Sequence, residues 1–254
     1  MSLQITSRGH GPDLALVHGW GLGPGVWNGV ADALASDCRV HVVSLPGYAG
    51  TPDDGADFSA TADALAAALP AGTCCCGWSL GGMLALAAAA RHPGHFGRLA
   101  LVGSTARFVQ DDDWPAAQPP ELLDTFRHAI AGDARTTLTR FVMLFNQGDT
   151  KGRAVARALT PLLADGLPAT ATLLRGLGWL AEADLRDLLA GLTLPTLLLH
   201  GDQDPLMPYA AAETLATRMP GARLERFAGC AHAPFISAPE RFVDVLRSFC
   251  HEPA

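Results

Sequence analysis

Gly77-Trp78-Ser79-Leu80-Gly81 is the stretch on which the reading of this chain turns. It follows the apolar run Thr73-Cys74-Cys75-Cys76 and leads into Met83-Leu84-Ala85-Leu86-Ala87-Ala88-Ala89-Ala90, a run of small residues with helical character. A G-x-S-x-G pattern set between a strand and a helix is a sharp turn that lifts a serine oxygen out of the sheet edge. The glycines are needed because the turn forces backbones together and leaves no room for a β-carbon. The helix that begins after Ser79 aims its free N–H groups at the place where negative charge would develop. Ser79 is therefore the candidate nucleophile; without the flanking strand and helix the pattern would be only a turn.

Working outward, Leu14–Val17, Val40–Val43 and Leu99–Val102 read as further strands, with helical patterns near 26–35, 58–68 and 82–91 between them. Strands alternating with helices predict an α/β fold with a mostly parallel central sheet and helices on both faces. The alternation stops at about 111. From there to 190 only helical periodicity is found, punctuated by Pro115, Pro119-Pro120, Gly148, Gly166 and Pro168. It resumes at Thr196–His200 and Arg223–Phe227. The expected organisation is a core of residues 1–110 and 191–254 with a helical lid insertion, 111–190, over the carboxyl edge where sites of open α/β sheets lie.

Bulk properties narrow the function. With 254 residues and 49% hydrophobic content the chain can bury a substantial core. It has no run of about 18 apolar residues and no basic-then-apolar N-terminal segment, so a cytoplasmic protein with no membrane partner is expected. The net charge of −7 argues against a general nucleic-acid binder. Residues 127–157 nevertheless hold six basic residues against Asp133 and Asp149, a basic island of +4 in a chain that is otherwise −11. Such an island suits an acidic partner or is simply a solvated helix face. The six cysteines show no metal spacing and read as reduced thiols used as small apolar residues.

A serine hydroxyl is a poor nucleophile at neutral pH, so it needs a base, and the base needs an orienting acid. Chain order after an elbow serine is acid, then histidine. His232 lies in Gly229-Cys230-Ala231-His232-Ala233-Pro234, a loop after the last strand, which is where the base belongs. His92 and His95 follow the elbow helix too closely, His128 lies in the insertion and His251 in the tail. After the preceding strand, His200-Gly201-Asp202-Gln203-Asp204 offers two carboxylates. Asp202 sits in the tight turn, where it can bond backbone N–H groups; Asp204, further out and able to face His232, is the preferred acid. For the oxyanion, the N–H of Leu80 and that of Trp20, in His18-Gly19-Trp20-Gly21, are the expected donors. The Trp20 indole is expected to line the acyl pocket. This chemistry needs no metal and no organic cofactor.

These residues together resemble the α/β-hydrolase superfamily, and within it the biotin-pathway esterases that demethylate pimeloyl-[acyl-carrier protein] methyl ester. The resemblance is carried by His18-Gly19-Trp20-Gly21-Leu22 with Val26-Trp27, Leu45-Pro46-Gly47-Tyr48, Gly77–Gly82, and Ala231-His232-Ala233-Pro234-Phe235-Ile236-Ser237. It covers nearly the whole chain. It implies a carboxylesterase acting on a substrate tethered to acyl-carrier protein. It further implies that Phe141, Val142, Met143, Leu144 and Phe145 run along the acyl channel, with Trp20, Ser79, Leu80 and His232 also touching substrate. Arg140, Arg153 and Arg157, with Arg135 nearby, are implied as carrier-docking residues. Arg153 and Arg157 are four apart and so share a helix face. Phe145 is bulky where relatives can carry a polar residue, which bears on acyl preference. A monomer is expected. The rival readings are a general short-chain carboxylesterase or lactonase with the same triad, and a non-catalytic ligand-binding receptor on the same fold.

Overall fold

A computed structural model describes residues 3–164 and 166–252. Seven strands form one sheet: β1 (Gln4–Arg8), β2 (Asp13–Val17), β3 (Arg39–Ser44), β4 (Cys74–Trp78), β5 (Arg98–Val102), β6 (Thr196–Gly201) and β7 (Ala222–Phe227), in the order β1-β3-β2-β4-β5-β6-β7. All pairs are parallel except β1–β3, which is antiparallel. β4 and β5 are buried along their whole length, as strands covered on both faces must be, which accounts for the apolar runs Cys74–Cys76 and Leu99–Val102. The three consecutive cysteines fill β4 as small buried side chains; all six cysteines are free, and burial pushes the Cys75 thiol up to about 12.

The helices between the strands are α1 (Asn28–Leu34), α2 (Phe58–Ala68) and α3 (Leu80–Arg91), with α8 (Tyr209–Arg218) joining β6 to β7 and α9 (Pro234–Ser237) and α10 (Pro239–His251) ending the chain. α1 packs on α10, whereas α2 packs on α3. The helix expected at 26–35 divides in two, because Pro24 starts a 3-10 turn, Pro24–Trp27, before α1. Strand β1 was not expected: its sequence QITSR has a single apolar residue, and it is held by its antiparallel ladder to β3 rather than by burial. Among the described residues, four α-helices lie between β5 and β6: α4 (Pro120–Gly132), α5 (Ala134–Phe145), α6 (Gly152–Leu159) and α7 (Thr170–Glu182). α4 packs against α7 and α5, and α6 against α9. Asp133 starts α5 as an N-cap, accepting from the Thr136 N–H at 3.0 Å. Among the described residues no helix is long and apolar enough to cross a membrane.

Candidate active site

The elbow between β4 and α3 places Ser79 at φ +56°, a left-handed backbone that a residue other than glycine adopts at a cost of about 1–3 kcal/mol. The strain persists because the surroundings leave no alternative. A β-carbon on Gly77 would lie 2.3 Å from the Gly81 carbonyl oxygen, and one on Gly81 would lie 2.4 Å from that of His18. The Ser79 carbonyl accepts from Ser104 Oγ at 2.9 Å and its N–H donates to the Val102 carbonyl at 2.9 Å.

The candidate acid and base, Asp204 and His232, lie in the loops after β6 and β7. His232 Nδ1 lies 2.7 Å from Asp204 Oδ2, and both side chains are buried. A carboxylate only accepts, so Nδ1 carries the proton and Nε2 of the neutral ring is left as the acceptor. Asp204 Oδ1 is held by the N–H groups of Leu206 and Met207, each at 2.9 Å. His200 Nε2 donates to the Met207 carbonyl at 2.6 Å, with Asp204 Oδ2 3.5 Å away. Burial is the largest influence on His200 and lowers its pKa, the Asp204 charge opposing it. The competing Asp202 is engaged elsewhere, with Arg226 at 2.6 Å and the Gly229 N–H at 2.8 Å. The histidine loop is tied to the elbow: the Trp78 indole N–H donates to the His232 carbonyl at 2.8 Å. A β-carbon on Gly103 would lie 3.2 Å from both Asp204 Oδ2 and His232 Nδ1, so the backbone after β5 passes directly beside the pair.

The loop after β2 reaches Ser79 as well, since a β-carbon on Gly19 would lie 3.1 Å from Ser79 Cβ. Leu80 opens α3, so its N–H is one of the four that a helix start leaves without an intrahelical partner. This loop is braced by a residue to which sequence reasoning gave no role. His18 is fully buried, its Nδ1 donates to the Gly19 carbonyl at 2.9 Å, and its Nε2 accepts from the Leu45 N–H at 3.1 Å. Burial lowers its pKa to about 4, keeping it neutral, as the accepting Nε2 requires. The Tyr48 hydroxyl accepts from the Gly21 N–H at 3.1 Å on the same loop. Both residues stand in stretches that carry the family resemblance, the one signal that could have found them.

The predicted channel residues divide between two sides of α5. Phe141 and Phe145, one helical turn apart, face inward: Phe145 lies 5.6 Å from the His232 ring and 5.9 Å from the Trp78 ring, and Phe141 lies 5.0 Å from Trp20. Val142 is fully buried. Met143 departs from the channel placement. Two residues after Phe141 the helix has turned by about 200°, and the Met143 side chain is 58% exposed on the outer surface. Leu144 is half-buried and lines the same outer groove as Met143. The Trp20 indole is not free to follow a ligand, because its N–H donates to the Leu173 carbonyl of α7 at 2.8 Å.

Arg140, Arg153 and Arg157 line that outer groove, of about 1010 Å³, together with Met143, Asp149 and Lys151. All three arginines are exposed, and the Arg140 charge also acts on Asp133 at the start of α5. Arg135 differs: its Nη1 donates to the Leu163 carbonyl at 3.1 Å, and it does not line the groove.

A serine on a strained strand-to-helix turn, and a buried carboxylate–imidazole pair in loops at the same carboxyl edge of a mostly parallel sheet, are the arrangement of an α/β-hydrolase site. The family described as "alpha/beta hydrolase fold" matches residues 14–239. A pimeloyl-[acyl-carrier protein] methyl ester esterase of Aromatoleum aromaticum is 45% identical over 90% of this chain and 94% of its own length. One of Aeromonas hydrophila is 40% identical over 98% of this chain and 99% of its own. An esterase from Exiguobacterium antarcticum superposes with a TM-score of 0.90 at 24% identity, covering 98% of this chain and 96% of that one, a likeness of fold. The chain belongs to the α/β-hydrolase family and, within it, to the family of the pimeloyl-[acyl-carrier protein] methyl ester esterases.

Proposed function

We propose that this chain is a serine carboxylesterase that hydrolyses the methyl ester of pimeloyl-[acyl-carrier protein], releasing methanol, as a step of biotin biosynthesis. Ser79 Oγ attacks the ester carbonyl while His232 Nε2 takes its proton. Asp204 holds the imidazole in the Nδ1–H tautomer and stabilises the imidazolium. The N–H groups of Trp20 and Leu80 receive the oxyanion. As the tetrahedral intermediate collapses, the ester C–O bond breaks and His232 returns the proton to the leaving methoxide. Water, deprotonated by His232, then attacks the acyl-serine carbonyl; the bond from the acyl carbon to Ser79 Oγ breaks, His232 returns the proton to Oγ, and the free acid departs.

The observation that carries the chemistry is the buried 2.7 Å contact between His232 Nδ1 and Asp204 Oδ2, in the loop bonded to the indole beside Ser79. The substrate assignment draws on the relatives' activity and on the three exposed arginines of the groove. In this reading residues 111–190 are a lid over a core of 1–110 and 191–254. Phe141 and Phe145 form the acyl wall, and Arg140, Arg153 and Arg157 dock the acidic carrier protein.

The test is hydrolysis of pimeloyl-carrier-protein methyl ester beside free dimethyl pimelate, by wild type and by an Arg140→Ala/Arg153→Ala/Arg157→Ala variant. Wild type should prefer the carrier-bound ester strongly, and the variant should lose that preference. Equal reaction of both esters, unchanged in the variant, would leave a general carboxylesterase with a solvated basic lid.

A further inference from the structure

The loop that follows α5, Asn146–Lys151, forms part of the groove wall and also touches the histidine loop at several points. Thr150 N donates to the Gly229 carbonyl at 2.9 Å, and His232 N to the Phe145 carbonyl at 3.3 Å. Lys151 Nζ donates to the Ser237 carbonyl at 2.9 Å. At the centre of these contacts is Asp149. Its Oδ2 accepts from the N–H of Ala231, the residue before His232, at 2.8 Å. Its Oδ1 accepts from Ser237 Oγ at 2.8 Å and from the Lys151 N–H at 2.7 Å.

From this arrangement we infer that Asp149 is the positioning residue of the catalytic histidine: its carboxylate clamps the two ends of the segment Ala231–Ser237 and so fixes where His232 stands relative to Ser79. The inference rests on the reading of His232 as the base. Asp149 touches neither the imidazole nor the serine, so it acts through the backbone. Only a carboxylate can do this. It meets two backbone N–H groups and a hydroxyl on two oxygens, and both oxygens accept. An asparagine has the same shape but one acceptor. Whichever way its amide turns, an NH2 faces either the Ala231 or the Lys151 N–H, and that backbone donor is left unpaired. The segment then shifts to find another partner, and the imidazole shifts with it. Reacting groups must be held in a near-attack geometry, and a displacement of about 1 Å from a remote substitution can cost on the order of 10²-fold in rate.

The test is Asp149→Asn in the full chain, assayed with p-nitrophenyl butyrate, whose turnover does not depend on carrier docking, with active serines counted by the acylation burst. The expected result is a kcat per active serine lowered by about tenfold or more with KM changed by less than about twofold. The low-field imidazole proton signal of His232, which reports the Nδ1–H bond to Asp204, should shift or broaden. Ser237→Ala, which removes one donor and leaves both backbone donors paired, should give a smaller loss of kcat, and it carries the test if Asp149→Asn does not fold. Wild-type kcat per active serine with an unchanged proton signal, whatever the melting temperature, would overturn the inference. Failure of the functional reading would look different: full activity in Ser79→Ala, or no preference of wild type for the carrier-bound ester.

Discussion

Replacing Asp204 with asparagine tests the central geometry, because the structure dictates which way the new amide must turn. Asp204 Oδ1 accepts from the Leu206 and Met207 N–H groups, while Oδ2 accepts from His232 Nδ1. An asparagine that keeps its oxygen toward the two backbone donors presents its NH2 to His232. The imidazole must then accept at Nδ1 and carry its proton on Nε2, where it cannot take the proton of Ser79. The opposite orientation restores the productive tautomer but points an NH2 at two N–H groups in a buried site. Each buried donor left unsatisfied costs about 1–3 kcal/mol, so the productive orientation is disfavoured by at least about 2 kcal/mol, roughly one molecule in 30. A loss of kcat between about 30-fold and 10⁴-fold is expected, the upper figure being that of the equivalent substitution in the serine protease that serves as the template for this triad. The fold should persist, since both backbone bonds are retained. Steady-state hydrolysis of p-nitrophenyl butyrate beside a thermal melt makes the measurement. A variant that retains kcat within about threefold of wild type would refute the assignment of Asp204 as the orienting acid.

Phe145→Ala removes a fully buried ring from between Trp78, Phe141 and His232, and should lower stability by about 3–5 kcal/mol in urea unfolding. The same variant should raise the ratio of long-chain to short-chain p-nitrophenyl ester turnover, because the ring narrows the space beside the site. His18 has a folded pKa of about 4 against an ordinary 6.5, so the folded state favours its neutral form. Its contribution is present in full above about pH 6.5 and is lost as the pH falls toward 4, by about 3 kcal/mol at 1.36 kcal/mol per pH unit. Urea unfolding between pH 7 and pH 4 should accordingly show a shallower decline in His18→Asn than in wild type. Exposed arginines act through a screened field, so raising salt from 0.05 to about 0.5 M should lower kcat/KM for the carrier-bound ester and leave dimethyl pimelate hydrolysis nearly unchanged.

The elements that repeat a local pattern were legible in the chain. The G-x-S-x-G turn announces itself because a β-carbon on Gly77 would clash with the Gly81 backbone within the turn, and one on Gly81 with the Val17 and His18 carbonyls of the neighbouring strand and its loop. Leu14–Val17, Leu99–Val102 and Leu197–Leu199 are read as strands because each is buried in a parallel sheet and therefore apolar without interruption. The sequence by itself thus determined the α/β alternation, the elbow serine, and the loops from which an acid and a base would come. Only the tertiary structure decided which groups in those loops meet. Asp202 and Asp204 stand two residues apart in one turn, yet one pairs with Arg226 and the other with His232. Tertiary packing set β1 as an antiparallel edge, buried His18 as a neutral brace, turned Met143 outward, and brought Asp149 to Ala231. The physical reason is the same in each case. Backbone sterics and the spacing of apolar residues act within a few positions of one another. The pairing of a carboxylate with an imidazole 28 residues away, or with an N–H 82 residues away, is set by the carboxyl edge of the sheet, which gathers loops from separate strands into one place.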